Sequence, residues 1–429
     1  MKELRNISSN ILYLFFDKVY GAIISLFFLS ILTNYLGPEL FGVWSYILSF
    51  ASIAVPLSTA GTNYTIVKKF SLNQNPAEVA KQAFLLRLLA SIATTLLLLL
   101  TFVVISKTAS QKEITTLMFF SAAMILNNVN LSVLYNEYRI KNGKTVLAKN
   151  IGFTIGTSIK ILLIYNNASI SEIAAVTILE SLIFFLVGYC LTDLQIVATF
   201  SSKVFSDSIK LLNESFPLFL SSVVVILYLK IDVILLRHFT ELGEVGYYAA
   251  AARISEMLYA APVAISTVFF PIIMKEINYN KETKKNRIRF YAIVFYLCLF
   301  ISISCSLLSP YIIQVIYGNS FYEASQIFSL HCLSILFIGF LTSSSKELIA
   351  KNKYKLIFYR DLMGLFSNLL LNIILMPYYG ALGAAVSTLI SYLLASVIAN
   401  LFYSETKQVL ALMLISPLAI FKINVIKNA

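Results

Sequence analysis

The stretch LYLKIDVILLRHF, residues 227–239, holds Lys230 and Asp232 in a run that is otherwise almost entirely apolar. Charges kept inside such a run typically bind ions, carry protons or recognise charged ligands. Residues two apart point about 200° apart around an α-helix, so these two side chains cannot neutralise each other directly. At least one of them must therefore face another helix or water.

Lys230 and Asp232 belong to a larger set of ionisable residues that lie well inside apolar segments. The set comprises Asp17, Lys18, Lys160, Glu180, Lys230, Asp232, Arg253 and Glu256. Each would cost ~3 kcal/mol if it faced lipid, whereas a whole fold is stable by only about 5–15 kcal/mol. These side chains must therefore be paired, hydrated or both.

The basic members of this set predict a water-filled cationic cavity that binds an anionic ligand such as a phosphate. They are Lys18, Lys160, Lys230 and Arg253. The acidic members predict sites of ion coupling or of charge pairing, and they are Asp17, Glu180, Asp232 and Glu256. The alternative is structural, because Lys160 and Glu180 lie on adjacent antiparallel helices and Arg253 and Glu256 share one helix face.

The composition places the protein in a membrane. Of the 429 residues, 59% are apolar and 13% are charged, and the mean hydropathy is +0.82. A soluble protein of this length could not bury so much apolar surface. The four cysteines and two histidines lack the spacing of a metal site, and no catalytic constellation or nucleotide-binding domain is evident. Uphill transport would draw on a proton or sodium gradient or on the supply of substrate, and no other cofactor is expected.

Twelve segments are apolar and long enough, at ~20 residues, to cross a bilayer. They are 11–33, 41–60, 82–105, 114–135, 146–165, 173–191, 211–236, 247–274, 290–316, 324–345, 356–377 and 381–402. Because they are apolar throughout and do not alternate, they predict helices and not the strands of a barrel. We expect an all-α polytopic membrane protein with twelve transmembrane helices.

The basic residues predict the orientation of these spans. Of the 33 lysines and arginines, 24 fall on the side of the N-terminus, three on the opposite side and six within spans. Both termini are therefore expected in the cytoplasm. The net charge of +12 then reflects topology and contact with anionic lipid, and nucleic acid is not an expected partner. Arg87 and Arg360, near the cytoplasmic ends of their spans, are expected to extend their head groups to the interface.

Two pairs of similar segments in the sequence indicate an internal duplication. IAAVTILESLIF from Ile173 resembles GAAVSTLISYLL from Gly383 at an offset of 210, and GPELFGVWS from Gly37 resembles GEVGYYA from Gly243 at an offset of 206. Six spans separate the copies, so both halves insert in the same orientation, which predicts two pseudo-symmetric six-helix lobes around a central cavity. The predicted domains are an N-lobe over 1–197, a cytoplasmic linker over 198–210, a C-lobe over 211–403 and a cytoplasmic or interfacial tail over 404–429.

Three stretches together resemble the polysaccharide flippases of the Wzx type, in the multidrug/oligosaccharidyl-lipid/polysaccharide exporter superfamily. They are YLGPELFGVWSYILSF, KIDVILL with GEVGYYAAAARISE, and YYGALGAAVSTLISY. The resemblance runs over residues 12–402 and implies two six-helix lobes that alternate between inward-open and outward-open states. The lipid II flippases of the superfamily have fourteen helices, and the short segment 408–421 is not expected to supply two more.

The resemblance also implies a cargo. This is an undecaprenyl-diphosphate-linked oligosaccharide, moved from the cytoplasmic to the periplasmic leaflet of the bacterial inner membrane for O-antigen or capsule assembly. Basic residues of the first, seventh and eighth helices, here Lys18, Lys230 and Arg253, are then implied to contact the lipid diphosphate or charged sugars. The expected partners are membrane lipids and the polymerase and chain-length proteins of the same pathway.

Two other functions remain open at this point. One is a drug/cation antiporter of the same superfamily, and the other is a membrane-embedded glycan polymerase or acyltransferase. Polymerases of these pathways display a large periplasmic loop, whereas every predicted outer loop here is short. We therefore expect a transporter and not an enzyme.

Overall fold

The computed structural model describes residues 2–72, 75–106, 110–194, 201–278 and 285–425, and within these ranges the protein is helical, without strands. The helices of these ranges are α1 (Lys2–Thr59), α2 (Asn63–Ser71), α3 (Pro76–Ile105), α4 (Gln111–Val129), α5 (Ser132–Tyr138), α6 (Asn142–Tyr165), α7 (Ile170–Cys190), α8 (Ser202–Phe239), α9 (Leu242–Leu258), α10 (Ala260–Asn278), α11 (Lys285–Leu307), α12 (Ser309–Tyr317), α13 (Ala324–Ala350), α14 (Tyr354–Leu393) and α15 (Ser404–Val425). A π-helical turn, Leu394–Ile398, extends α14.

Ten helical segments of the described chain are long and apolar enough to cross a membrane. The predicted all-helical membrane class is therefore confirmed, but the predicted count of twelve spans is not. The difference arises in Phe16–Ser71 and Tyr354–Leu401, which contain 56 and 48 residues. Each is more than twice the ~20 residues that one crossing needs, and each covers all or most of two predicted spans.

Glycines interrupt both of these long helical segments. Gly37 in α1 has φ +68° and Gly380 in α14 has φ +53°, and both are non-helical positions inside otherwise continuous helices. A positive φ is accessible to glycine without the steric cost that a side chain imposes. The chain therefore changes direction at Gly37 and Gly380, at the two places where the sequence predicts short loops between spans.

Side-chain caps set the start of three helices in the first half of the chain. Asn75 accepts a hydrogen bond from the backbone N–H of Ala77 at 3.0 Å, ahead of Pro76 at the first position of α3. Capping boxes at Ser110–Glu113 and Ser169–Glu172 begin α4 and α7. Each cap satisfies backbone donors that the first turn of a helix leaves without partners.

The chain divides into two compact units, one made of Met1–Leu36 and Val43–Lys230 and the other of Gly37–Gly42 and Ile231–Ala429. The boundary lies inside α8, between Lys230 and Ile231. The limits predicted for the lobes, linker and tail come from topology and stay predictions. The central cavity and the cytoplasmic termini also stay predictions.

In the first unit, α7 packs against α4 and α6. The contact with α6 is very close at Gly156, where an added Cβ would lie 1.8 Å from Cγ of Glu180. No other residue type could occupy this position without displacing Glu180. The small residue therefore allows a charged side chain of α7 to lie directly against the backbone of α6.

In the second unit, α13 is the central helix and contacts α9, α10, α11 and α14. The segment Gly37–Gly42 packs on α9 through a reciprocal contact. A Cβ on Gly42 would lie 2.0 Å from the carbonyl oxygen of Leu242, and a Cβ on Gly246 would lie 2.1 Å from that of Pro38. The two similar glycine-containing segments that begin at Gly37 and Gly243 are thus in direct backbone contact.

The tail helix α15 also belongs to the second unit and packs against α11. Val409, Leu410 and Met413 are buried there, and the hydroxyl of Tyr296 donates to the carbonyl oxygen of Pro417 at 2.9 Å. At the start of α15, the ammonium of Lys353 donates to Glu405 at 2.8 Å and lowers the pKa of Glu405 to about 2. The tail is therefore a packed helix of this unit.

Candidate functional site

Asp232 is a predicted site residue that lies among polar side chains of two other helices. It lies on α8 and only 3% of its surface is exposed. Its Oδ2 accepts hydrogen bonds from the hydroxyls of Tyr248 on α9, at 2.6 Å, and Thr388 on α14, at 2.7 Å. Its Oδ1 accepts from Nδ2 of Asn372, also on α14, at 2.6 Å. The prediction that at least one member of the 230–232 pair faces another helix or water is confirmed, since Asp232 contacts two helices.

The surroundings of Asp232 are rich in oxygen and carry one negative charge. Asn372 also donates to Oδ1 of Asn368 at 3.1 Å, while its own buried Oδ1 has no hydrogen-bond partner in the described chain. Carboxylate, amide and hydroxyl oxygens are the ligands that hard cations prefer. A cluster of these atoms with a single carboxylate can hold a monovalent cation or a proton. We call Asp232, Asn368, Asn372 and Thr388 the Asp232 cluster.

A second buried polar group, centred on His331 of α13, was not anticipated from the sequence. Nδ1 of His331 lies 2.8 Å from the hydroxyl of Ser255 and 3.1 Å from that of Tyr259, both carried by α9 or its C-terminus. The rings of Tyr259 and His331 stack at 6.4 Å. His331 and Ser255 are both buried. The partners are 72 and 76 residues away in sequence, so ligand spacing around the histidine could not identify them.

Lys160 and Glu180 form a buried salt bridge in the first unit. Nζ of Lys160 lies 2.8 Å from Oε2 of Glu180, and their side chains are 7% and 16% exposed. The ammonium also lies 5.5 Å from the centre of the Phe28 ring. The structure therefore places these two residues together, as the structural alternative predicted. Assignment of Lys160 to the ligand remains a prediction.

We expect the Lys160–Glu180 pair to stabilise the protein only as a pair. Lys160→Met and Glu180→Gln should each lower the free energy of unfolding by about 3–5 kcal/mol, because each leaves one buried charge without its partner. The double variant should recover most of that loss. Thermal unfolding of the purified variants measures this, with Lys210→Met as the control because Lys210 is exposed and pairs with Asp207 at the surface.

The transport activity of the double variant separates the two roles of Lys160. If Lys160 only packs, Lys160→Met/Glu180→Gln should fold and transport normally. A double variant that folds but does not transport would instead identify Lys160 as a ligand-binding residue.

Asp17 also has a charged partner. Nζ of Lys149 on α6 lies 2.9 and 3.1 Å from the two carboxylate oxygens of Asp17 on α1. Asp17 is 7% exposed, whereas the side chain of Lys149 is 47% exposed. The structure thus brings Asp17 into a pair between α1 and α6. A role of Asp17 in ion coupling remains a prediction.

The other predicted residues differ in exposure. Lys18 on α1 and Arg253 on α9 are exposed, while Lys230 on α8 and Glu256 on α9 are half-buried. Exposure of Arg253 is notable because Ala252 and Ile254 on either side are buried. The predicted local pair of Arg253 with Glu256 and the shared cationic cavity stay predictions.

The expectation that Arg87 and Arg360 reach the membrane interface is wrong, because each is only 3% exposed. Arg87 donates to the hydroxyl of Thr62 at 2.9 Å, to Oδ1 of Asn63 at 2.5 Å and to the carbonyl oxygen of Asn128 at 3.1 Å. A buried guanidinium that donates to neutral acceptors costs less free energy than a buried charge without hydrogen bonds. These contacts use three of the five guanidinium donors. Arg87 therefore ties the corner between α1 and α2 to α4.

Arg360 and Glu347 form comparable buried contacts in the second unit. Arg360 donates to the hydroxyls of Ser344 and Ser345 at 2.7 and 2.5 Å. Glu347, one turn further along α13, accepts from Arg287 at 2.9 Å and from Tyr291 at 2.6 Å. These contacts join α11, α13 and α14. Apart from Glu347 with Lys351 at i+4, no local spacing in the sequence predicts them.

Comparison with protein families and curated proteins gives consistent matches. A family model described as "Polysaccharide biosynthesis protein" matches residues 31–326. The "Probable flippase AglR" of Haloferax volcanii is 25% identical over 290 residues, which cover 64% of this chain and 58% of that protein. The "Putative O-antigen transporter" of Shigella flexneri is 24% identical over 291 residues, covering 66% of this chain and 67% of that protein. The match therefore spans less than two thirds of the first of these relatives.

Solved structures share the fold over nearly the whole chain. The similarity to an inward closed structure of the lipid II flippase MurJ covers 97% of this chain and 92% of the MurJ chain, with a TM-score of 0.72 and 17% identity. The similarity to an inward-facing multidrug resistance MATE family transporter of the MOP superfamily covers 94% of this chain and 98% of the transporter chain, with a TM-score of 0.68 and 15% identity. The family and fold matches confirm the predicted resemblance to polysaccharide flippases of this superfamily.

Proposed function

Because this chain belongs to the polysaccharide biosynthesis protein family, we propose that it is a flippase for lipid-linked oligosaccharides. Its cargo is an undecaprenyl-diphosphate-linked oligosaccharide for O-antigen or capsule assembly. The protein moves the polar head of this lipid from the cytoplasmic to the periplasmic leaflet by alternating access. The polymerase and chain-length proteins of the same pathway are the proposed partners.

The observation that carries the proposal is the exposed guanidinium of Arg253 in an apolar helix. Ala252 and Ile254 beside it are buried, so α9 is packed at this level and Arg253 alone points outward. A charge on an apolar membrane helix must meet water or a counter-charge. A diphosphate provides both a double negative charge and acceptors for a bidentate guanidinium contact. Lys18, which is also exposed on α1, is proposed to contact the anionic part of the cargo.

The Asp232 cluster is the proposed coupling site for a proton or sodium gradient. Tyr248, Thr388 and Asn372 surround its carboxylate with neutral groups, and the free Oδ1 of Asn372 provides a further cation ligand. Cation binding neutralises the carboxylate and rearranges these hydrogen bonds. Because the cluster joins α8 to α14, and Tyr248 of α9 donates to its carboxylate, the rearrangement can be transmitted to three helices.

The proposed topology has twelve crossings. It counts two in Phe16–Ser71, divided near Gly37, and two in Tyr354–Leu401, divided near Gly380. Both termini lie in the cytoplasm, and the membrane is the bacterial inner membrane. The basic residues support this orientation through the positive-inside rule.

Reconstitution tests the proposed activity directly. Liposomes that contain the purified protein and an undecaprenyl-diphosphate-linked oligosaccharide are treated with a membrane-impermeant glycosidase from outside. The protein should make the inner-leaflet glycan accessible, in amounts that depend on an imposed ion gradient. Protein-free liposomes are the control, and equal protection of the glycan in both would contradict the proposal.

The second candidate is a drug/cation antiporter, and the fold shared with MATE family transporters favours it. Deletion of the gene separates the two functions. A flippase gene should cause loss of surface glycan with unchanged drug tolerance. Reduced drug tolerance with normal glycan would establish the antiporter instead.

A further inference from the structure

A groove lies between α2 and the first half of α8, within the first unit. Its volume is about 390 Å³, which is in the range of small-ligand sites. The groove is lined by Tyr64, Thr65, Lys68, Lys69, Leu72, Glu214 and Leu218. None of these residues belongs to the set of charges predicted to bind the cargo or to couple an ion.

The walls of the groove are fixed by buried contacts. The hydroxyl of Ser215 on α8 donates to that of Thr65 on α2 at 2.9 Å, and Ser215 is fully buried. At the adjoining corner, a Cβ on Gly61 would lie 2.4 Å from the backbone nitrogen of Phe219, so α8 crosses the chain at backbone distance. Arg87 holds the same corner through Thr62. The groove therefore lies between two helices that are in direct contact beside it.

The groove combines cationic groups with an exposed apolar rim. Lys69 pairs with Glu214 at 3.0 Å, while Lys68 is exposed and makes no ion pair in the described chain. The exposed fractions of Tyr64, Leu72 and Leu218 are 67%, 62% and 41%. Large apolar side chains beside lysines are typical of surfaces that meet a lipid interface.

We propose that this groove holds the diphosphate of a polyprenyl lipid in the cytoplasmic leaflet, before the lipid is moved across the membrane. The inference rests on the proposed flippase function and on the predicted cytoplasmic position of Lys68 and Lys69. The two ammonium groups contact the diphosphate, and the apolar rim contacts the first part of the prenyl chain. Glu214 orients Lys69 in the empty groove but repels the bound anion.

Lys68 and Lys69 should favour binding of the diphosphate and Glu214 should oppose it, so substitutions of these residues test the proposal. The probe is undecaprenyl diphosphate without sugars, and its Kd for the detergent-purified full chain is measured. Lys68→Gln/Lys69→Gln should weaken binding roughly 25-fold, since each lysine contributes about a factor of five near an anionic surface. Glu214→Gln should tighten binding about fivefold, because it removes a negative charge beside the ligand. Lys407→Gln is the control, since Lys407 is exposed on α15, outside the groove.

Each outcome decides the proposal. If the double lysine variant binds like Lys407→Gln, or if Glu214→Gln weakens binding, the groove does not hold the diphosphate. Equal competition by phosphatidylglycerol or by inorganic pyrophosphate would also overturn it, because the site would then hold bulk phospholipid or a free anion. If the unmodified protein does not bind the probe at all, the proposed flippase function fails together with the groove. Unaltered binding in the double variant overturns the groove alone.

Discussion

Replacing Asp232 by asparagine is expected to abolish ion-coupled transport while the protein remains folded and abundant. The asparagine keeps the shape and one acceptor for Tyr248 and Thr388, but it removes the charge that attracts a cation. Its amide nitrogen cannot accept the hydrogen bond from Asn372. Tyr248, Asn372 and Thr388 are neutral, so the change leaves none of them as an unpaired buried charge, and loss of transport would reflect coupling and not unfolding.

Cation binding by the Asp232 cluster can be measured apart from transport. At a sodium concentration of ~100 times Kd, binding should stabilise the native protein by about 2.7 kcal/mol, seen as an increase in Tm. Asp232→Asn should abolish this increase. Asp193→Asn is the matched control because Asp193 is exposed, with 71% of its side chain accessible, and it should respond to sodium as the unmodified protein does.

The Tm measurement, combined with transport driven by a sodium or a proton gradient, shows which cation the cluster binds. A sodium-independent Tm with proton-driven transport would assign the cluster to protons. Full transport by Asp232→Asn under either gradient would contradict a coupling role.

The sequence was sufficient to predict that Lys230 or Asp232 must face another helix or water, but not to say which one or to name its partners. The angular argument depends only on helix geometry, which holds for any sequence of this kind. The partners are Tyr248 and two α14 residues, Asn372 and Thr388, that lie 140 and 156 residues further along the chain. Neutral amides and hydroxyls are frequent in these helices, and their individual insertion costs are small. One sequence therefore contains no signal that selects these three.

Arg87 illustrates a different limit. Near the end of a span, an arginine can reach the interface by extending its side chain, and this is the usual low-cost solution. The structure instead surrounds Arg87 with acceptors from the α1–α2 corner and from α4. That corner depends on Ala60 and Gly61, both with positive φ. Tertiary packing determines which solution is adopted, and no local pattern reports it.

The number of spans was predicted from hydropathy alone, which gave twelve segments where the described chain has ten long apolar helical segments. Gly37 and Gly380 mark real changes of direction, and both lie between spans that were predicted from hydropathy. Helical structure nevertheless continues to within one residue on each side of both glycines. A predicted loop and a kinked continuous helix have the same composition, so hydropathy alone cannot distinguish them.

Replacing Arg253 by glutamine is expected to reduce transport strongly without reducing protein abundance. Arg253 is exposed on α9 between the buried residues Ala252 and Ile254, so packing of the helix at this level rests on its neighbours. A charged hydrogen bond to the cargo contributes about 1.5–3 kcal/mol, so the affinity for the lipid diphosphate should fall by roughly 10–150-fold. Glycan accessibility in liposomes measures transport, and Arg139→Gln, at another exposed arginine, is the control.

The response to a second substitution distinguishes direct contact from a general effect of charge. If Arg253 contacts the diphosphate as a fork of two donors, Arg253→Lys should restore only part of the activity, because an ammonium provides a point charge without that geometry. Lys18→Gln is measured separately and should also weaken binding, since Lys18 is the other exposed basic residue of the predicted set. Full activity of Arg253→Gln would show that its exposure serves lipid contact alone, and the cationic residue that recognises the cargo would have to be sought elsewhere on the chain.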